Sequence, residues 1–279
     1  MLEDCGFTDT ESIVTTKNTY VAPFVNAEEA QYLVIENAFP NGRPALENAG
    51  VMFTSRETVE KVERMKVCTC LNPLHTALAV YGCLLGYTKI SDEMKDADLV
   101  KLVEIIGYKE GLPVVTDPGI LSPKKFIDEV LQIRVPNPFM PDTPQRIACD
   151  TSQKLSIRFG ETIKEYMASS ELDVKSLKFI PMVQAGWCRY LLGVDDELNA
   201  FTVSPDPMYE ELAGKLAGVK VGESCDVHAV LSPILSDAKI FGVNLYEAGL
   251  GEYVESIFAE LIAGKGAVRE TLKRHLAEA

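Results

Sequence analysis

Apolar residues at alternating steps of three and four mark amphipathic helices along most of this chain, and one run is denser than the rest. It is Lys66 to Gly86, KVCTCLNPLHTALAVYGCLLG, where two stripes lie side by side from Asn72 onward. Leu71, Leu74, Leu78, Tyr81 and Leu85 form an oily stripe; Asn72, His75, Ala79, Gly82 and Gly86 form one that begins polar and becomes small enough for another backbone to lie against. The pattern predicts a helix buried on both. An amide and an imidazole on such a helix need partners from the protein or from a ligand, because each costs about 1–3 kcal/mol if left unpaired. Pro73 leaves two local readings open. It can force a kink or a one-residue bulge, or it can stand at the first position of a new helix capped by Asn72, which would divert that amide to a structural task.

Helix-start signals recur on either side. Thr54 or Ser55 can cap RETVEKVERMK, and Ser122 with Pro123 opens PKKFIDEVLQIRV, whose Phe126, Val130 and Ile133 share one face. Thr143 before Pro144 starts a helix on which Arg146, Asp150 and Lys154 step by four; by itself that spacing fits a salt-bridged solvated face. SDEMKDADLVKLVEIIGY, SLKFIPMVQAGWCRYLLG with Gly193 as its stop, PDPMYEELAGKLAG, DVHAVLSPILSD, EYVESIFAELIAG and VRETLKRHLAEA complete the helical text. His228 reads as packed and His275 as solvated near a terminus. Strand signals are confined to the start: an irregular lead-in over 1–18, an extended piece Asn18 to Val25 interrupted by Pro23, then QYLVI and VMFT. The expected fold is therefore mainly α, a multi-helix domain over 55–279 preceded by a short β-containing segment over 1–54.

Composition narrows the partners. The net charge of −14 argues against nucleic acid, which needs clustered lysine and arginine, and means that an anionic substrate must be held by a local cationic pocket. No uninterrupted apolar run reaches membrane-spanning length and the first residues are acidic, so a cytoplasmic location is expected. The seven cysteines show no framework spacing and read as reduced thiols. Cys68, Cys70 and His75 lack a second pair to close a tetrahedral shell, so no metal is expected.

Lys66, Asn72 and His75, followed by Gly82 and Gly86, resemble the catalytic helix of the mannitol dehydrogenase family of long-chain polyol and hexuronate dehydrogenases. In that family a lysine, an asparagine and a histidine occur in this order, with the lysine five residues before the asparagine; here the interval is six. Asn137-Pro138, Asp142, Arg146 and Lys154 repeat a second family pattern, in which the arginine and lysine hold substrate oxygens. The resemblance implies metal-independent hydride transfer between a sugar alcohol or aldonate and NAD or NADP. Lys66 would be the base, Asn72 and His75 would stabilise the substrate oxygen, and Arg146 and Lys154 would bind substrate. An ammonium held away from water and beside other cations sheds its proton more readily, as a lysine base requires.

The glycine-rich G-x-G-x-x-G turn that cradles a dinucleotide is missing: Gly249 with Gly251, and Gly264 with Gly266, each lack the third glycine. The residues over 1–54, with Glu36 and GRPALE, resemble the family's link between its two domains. The expectation is a catalytic and substrate-binding C-terminal domain, inactive alone, whose nucleotide-binding domain lies upstream or on another chain. A non-catalytic helical binding or dimerisation module is the competing reading, with Asn72 and His75 as core polar groups.

Overall fold

The structure is a computed structural model and describes residues 13–14, 20–21 and 33–279. Most of the lead-in and of the piece Asn18 to Val25 lies outside the described residues. The chain divides into two units, residues 1–56 and 57–279.

In the first unit, β1 (Ile13–Val14) pairs antiparallel with β2 (Tyr20–Val21), and β3 (Val34–Glu36) pairs in parallel with β4 (Met52–Thr54). Arg43 braces the connection between β3 and β4. Its guanidinium lies 3.4 Å from the centre of the Phe53 ring and pairs with Glu47 at 2.5 Å.

The second unit is helical. It runs α1 (Arg56–Met65), α2 (Asn72–Leu84), α3 (Ile90–Glu93), α4 (Ala97–Glu104), α5 (Pro123–Glu129), α6 (Pro144–Ile147), α7 (Glu161–Ala168), α8 (Phe179–Tyr190), α9 (Tyr209–Leu216), α10 (Val227–Leu235), α11 (Ala238–Phe241), α12 (Gly251–Leu261) and α13 (Ala267–Ala277). Local chemistry sets many of the starts. Asp96, Ser122, Thr143 and Asp226 accept backbone N–H bonds at the heads of α4, α5, α6 and α10, and Pro123 and Pro144 occupy positions where no N–H is needed. The head of α8 has no cap of its own. Glu110, distant in sequence and buried, accepts the N–H groups of Lys178, Phe179 and Ile180 at 2.6–2.8 Å.

The core sits between α2, α8 and α12. All twelve residues of α8 are buried, and α8 packs on both of the others. The run from α1 through α2 is long and apolar enough to cross a membrane by composition, yet 89% of its most apolar window is covered by protein, as in the central helix of a helical core. On α2 the oily stripe is buried as expected from Leu71 to Tyr81. The small stripe meets a side chain instead of a backbone: a Cβ on Gly82 would stand 2.1 Å from Oε1 of Glu93, a residue with no exposed surface.

Among the described residues, four wide turns with i→i+5 bonding interrupt the helices, over Lys66–Cys70, Ile105–Gly111, Val130–Arg134 and Ser156–Gly160. Each inserts one extra residue and rotates the helix downstream of it. This explains a departure from the expected packing: Phe126 and Val130 are buried, but Ile133 is 58% exposed, because the turn at Val130–Arg134 carries it off their face. The histidines also reverse the expectation. His228 is exposed, with Nδ1 2.8 Å from Glu255, while His275 is largely covered, with Nε2 2.8 Å from Glu260.

Candidate active site

At the junction of α1 and α2 both readings of Pro73 are partly realised. Lys66 opens a π-turn closed by the Leu71 N–H donating to the Lys66 carbonyl at 3.1 Å, and a new helix then begins at Asn72. Leu71 holds the cap position, and no side chain caps the helix, so the Asn72 amide is not spent on its own terminus. That amide is half-buried and makes no hydrogen bond to the described residues. Lys66 is also half-buried and has no ion-pair partner among them.

One turn into α2, His75 presents a buried Nε2 with no hydrogen-bond partner among the described residues, 4.0 Å from Oδ2 of Asp142. Burial depresses the imidazole to about 4, and the charges of Arg134, Arg158 and Arg146 push the same way against Asp142. The ring is neutral at pH 7 and keeps both a donor and an acceptor nitrogen. Asp142 is anchored from two sides. Its carbonyl accepts the Ile90 N–H at 3.1 Å, and its carboxylate pairs with Arg146.

The helix expected to carry Arg146, Asp150 and Lys154 on one face is not continuous. It stops at Ile147, and Asp150 adopts a left-handed backbone with φ 53°. Tertiary bonds hold that break in place: the Asp150 N–H donates to the Pro205 carbonyl at 2.8 Å, and Asp206 accepts from the Ser152 N–H and hydroxyl. Arg146 is consequently exposed, at 63% of its side chain, while Lys154 turns inward and donates Nζ to the Cys149 carbonyl. Burial and the neighbouring Arg158 lower the affinity of Lys154 for its proton.

Two residues that the sequence patterns passed over join the start of α2 to the segment after Lys154. Thr76 donates its hydroxyl to the Asn72 carbonyl at 2.8 Å and accepts from the Arg158 guanidinium at 2.6 Å. Arg158 lies four residues beyond Lys154, a continuation of the Arg146, Asp150, Lys154 stepping that could have flagged it. The structure thus places Arg146 and Arg158 within electrostatic reach of His75, and Lys154 within reach of Arg158, with Asn72 at the head of the helix that carries His75.

Neither of the two glycine pairs forms a dinucleotide cradle. The helix after Gly264 and Gly266 has its first N–H groups taken by the Asp196 carboxylate, which accepts from Val268 at 2.8 Å and Arg269 at 3.0 Å. At Gly251 the space beside the backbone is filled by the ring of Tyr246, 2.4 Å from where a Cβ would stand.

Residues 58–258 match the mannitol dehydrogenase C-terminal domain. The D-mannonate oxidoreductase of Thermotoga maritima is 60% identical over 276 residues, covering 98% of this chain and 51% of the relative. The mannitol 2-dehydrogenase of Aspergillus niger is 31% identical over 241 residues, covering 84% of this chain and 47% of the relative. Among solved structures, the mannitol 2-dehydrogenase of Pseudomonas fluorescens, in ternary complex with NAD and D-mannitol, superposes with a TM-score of 0.73 at 26% identity, over 94% of this chain and 49% of that one. The chain spans about half the length of these relatives. With a family match over most of its length and helices arranged as in a solved member, this chain belongs to the mannitol dehydrogenase family, of which it carries the C-terminal domain.

Proposed function

We propose that this chain supplies the substrate-binding and catalytic half of an NAD(P)-dependent oxidoreductase acting on a sugar alcohol or aldonate, and that residues other than those described hold the cofactor. The observation that carries the reading is at the start of α2. An amide and a neutral imidazole three residues apart are both left without hydrogen-bond partners among the described residues, with a half-buried lysine six residues before the amide and Arg134, Arg146 and Arg158 within electrostatic reach of the imidazole. Covered polar groups without a hydrogen-bond partner call for an explanation, and a substrate oxygen supplies one here.

The roles follow from the chemistry of each group. Lys66 takes the proton of the substrate hydroxyl. Asn72 and His75 donate to the oxygen as negative charge gathers on it, and preformed donors of this kind stabilise most where charge develops. NAD(P) supplies the hydride acceptor when bound. Arg146 and Lys154 hold substrate oxygens. The six-residue interval between Lys66 and Asn72 is consistent with this assignment, because a π-turn takes up one residue more than an α turn and so absorbs the difference from the family's five.

The test is to combine this chain with the half of the Thermotoga maritima D-mannonate oxidoreductase that it does not match, then to assay NAD- and NADP-linked oxidation of D-mannonate and D-mannitol. Turnover supports the reading. Its absence in a folded assembly would leave the chain as a binding or dimerisation module.

A further inference from the structure

The start of α2 lies beside more positive charge than the Arg146 and Lys154 pattern predicts, and Arg158, bonded to Thr76 of α2, is part of that excess together with Arg134. Two other well-covered arginines of this chain have three acceptors or two carboxylates to receive their donors. Arg269 pairs with Asp96 and Asp98 at 2.6 and 2.9 Å, and Arg189, fully buried, donates to the carbonyls of Leu261, Val194 and Asp195. Arg146 has Asp142. Arg158 has one neutral hydroxyl, that of Thr76, and no carboxylate within ion-pair distance among the described residues. A guanidinium withdrawn from water without a counter-charge is unfavourable, and burial here lowers its proton affinity to about 10.

An uncompensated guanidinium inside a chain of net charge −14 is a local demand for an anion. The Thr76 bond uses one of the five N–H donors, and the planar fork suits a carboxylate held by two parallel bonds. The same Thr76 hydroxyl donates to the Asn72 carbonyl, so the fork is held at a fixed place relative to the groups that would receive the reacting oxygen. Arg146 is a poorer candidate, being exposed and already neutralised by Asp142.

We infer that Arg158 binds the carboxylate of an aldonate in a forked pair and thereby sets the preference of this site for sugar acids over neutral polyols. This rests on the oxidoreductase reading above and adds to it the residue that selects the substrate class.

The experiment compares kcat/KM for D-mannonate and D-mannitol in the assembled enzyme, wild type against Arg158→Met and Arg158→Lys, with circular dichroism as the check on folding. The wild type should prefer mannonate, and Arg158→Met should cut the mannonate-to-mannitol ratio at least tenfold, chiefly through the KM for mannonate. Arg158→Lys keeps the charge without the fork and should recover part of that ratio; if the Met variant does not fold, the Lys variant must still show a ratio below wild type. A ratio that Arg158→Met leaves unchanged, both substrates suffering equally, overturns the assignment and marks Arg158 as structural. A wild-type enzyme indifferent between the two substrates overturns it while leaving the oxidoreductase reading standing, and one that oxidises neither overturns both.

Discussion

The N–H of Leu71 donates to the carbonyl of Lys66 at 3.1 Å, five residues back, and this bond closes the wide turn that separates the candidate base from Asn72. Lys66→Ala should lower turnover in the assembled enzyme at least ~100-fold, the lower end of what a positioned proton acceptor contributes. Adding Val67→Lys to that variant gives a five-residue interval to Asn72 but points the amine elsewhere, and should restore nothing. Recovered activity in the double variant would show that interval, and not the turn, governs.

His75 should be silent in the physiological range. With its proton affinity depressed to about 4, the ring stays neutral from pH 5 upward, so its NMR titration should show a midpoint near 4 and no step near 6.5. Below pH 6.5 the unfolded chain takes up a proton that the folded one refuses, so stability falls by about 1.4 kcal/mol per pH unit until about pH 4. Urea melts of His75→Asn should lack that component of the acid loss.

Glu93 works in the opposite direction. Its side chain has no exposed surface and neither oxygen has a hydrogen-bond partner among the described residues, and burial raises the carboxyl from 4.5 to about 9. The folded chain therefore keeps a proton that the unfolded chain gives up. Stability on this account is fully present below pH 4.5 and is lost as pH rises towards 9, again by about 1.4 kcal/mol per unit. Glu93→Gln, of nearly the same shape and without an ionised form, should unfold at higher urea than wild type at pH 8, with the gap closing by pH 5. Equal midpoints at both pH values would refute a buried neutral acid.

Gly160 ends the π-turn Ser156–Gly160 that also carries Arg158, at a place where the backbone of α11 comes too close for any side chain. A Cβ there would lie 2.2 Å from the Phe241 carbonyl oxygen. Since the obstacle is backbone, Gly160→Ala should destabilise by about 1–3 kcal/mol or more, measured by urea unfolding. If Arg158 depends on the turn, its mannonate preference should drop in the same variant.

Periodicity and capping chemistry determined which segments are helices, where several of them start, and that α2 would be covered on both sides. Those properties follow from spacing and from side chains that bond their own backbone, and both are local. The order of lysine, asparagine and histidine was likewise legible, because the motif is contiguous. Only the tertiary structure decided the rest. Wide turns shifted the angular register of Lys66, Ile133 and Arg158 without a mark in composition. Pro205 and Asp206 broke the helix that would have put Arg146, Asp150 and Lys154 on one face, sending Lys154 inward and leaving Arg146 outside. Whether a cation has a counter-charge is a question about neighbours far away in the chain, and for that reason the lone guanidinium of Arg158 could be recognised only after folding had brought Thr76 to it.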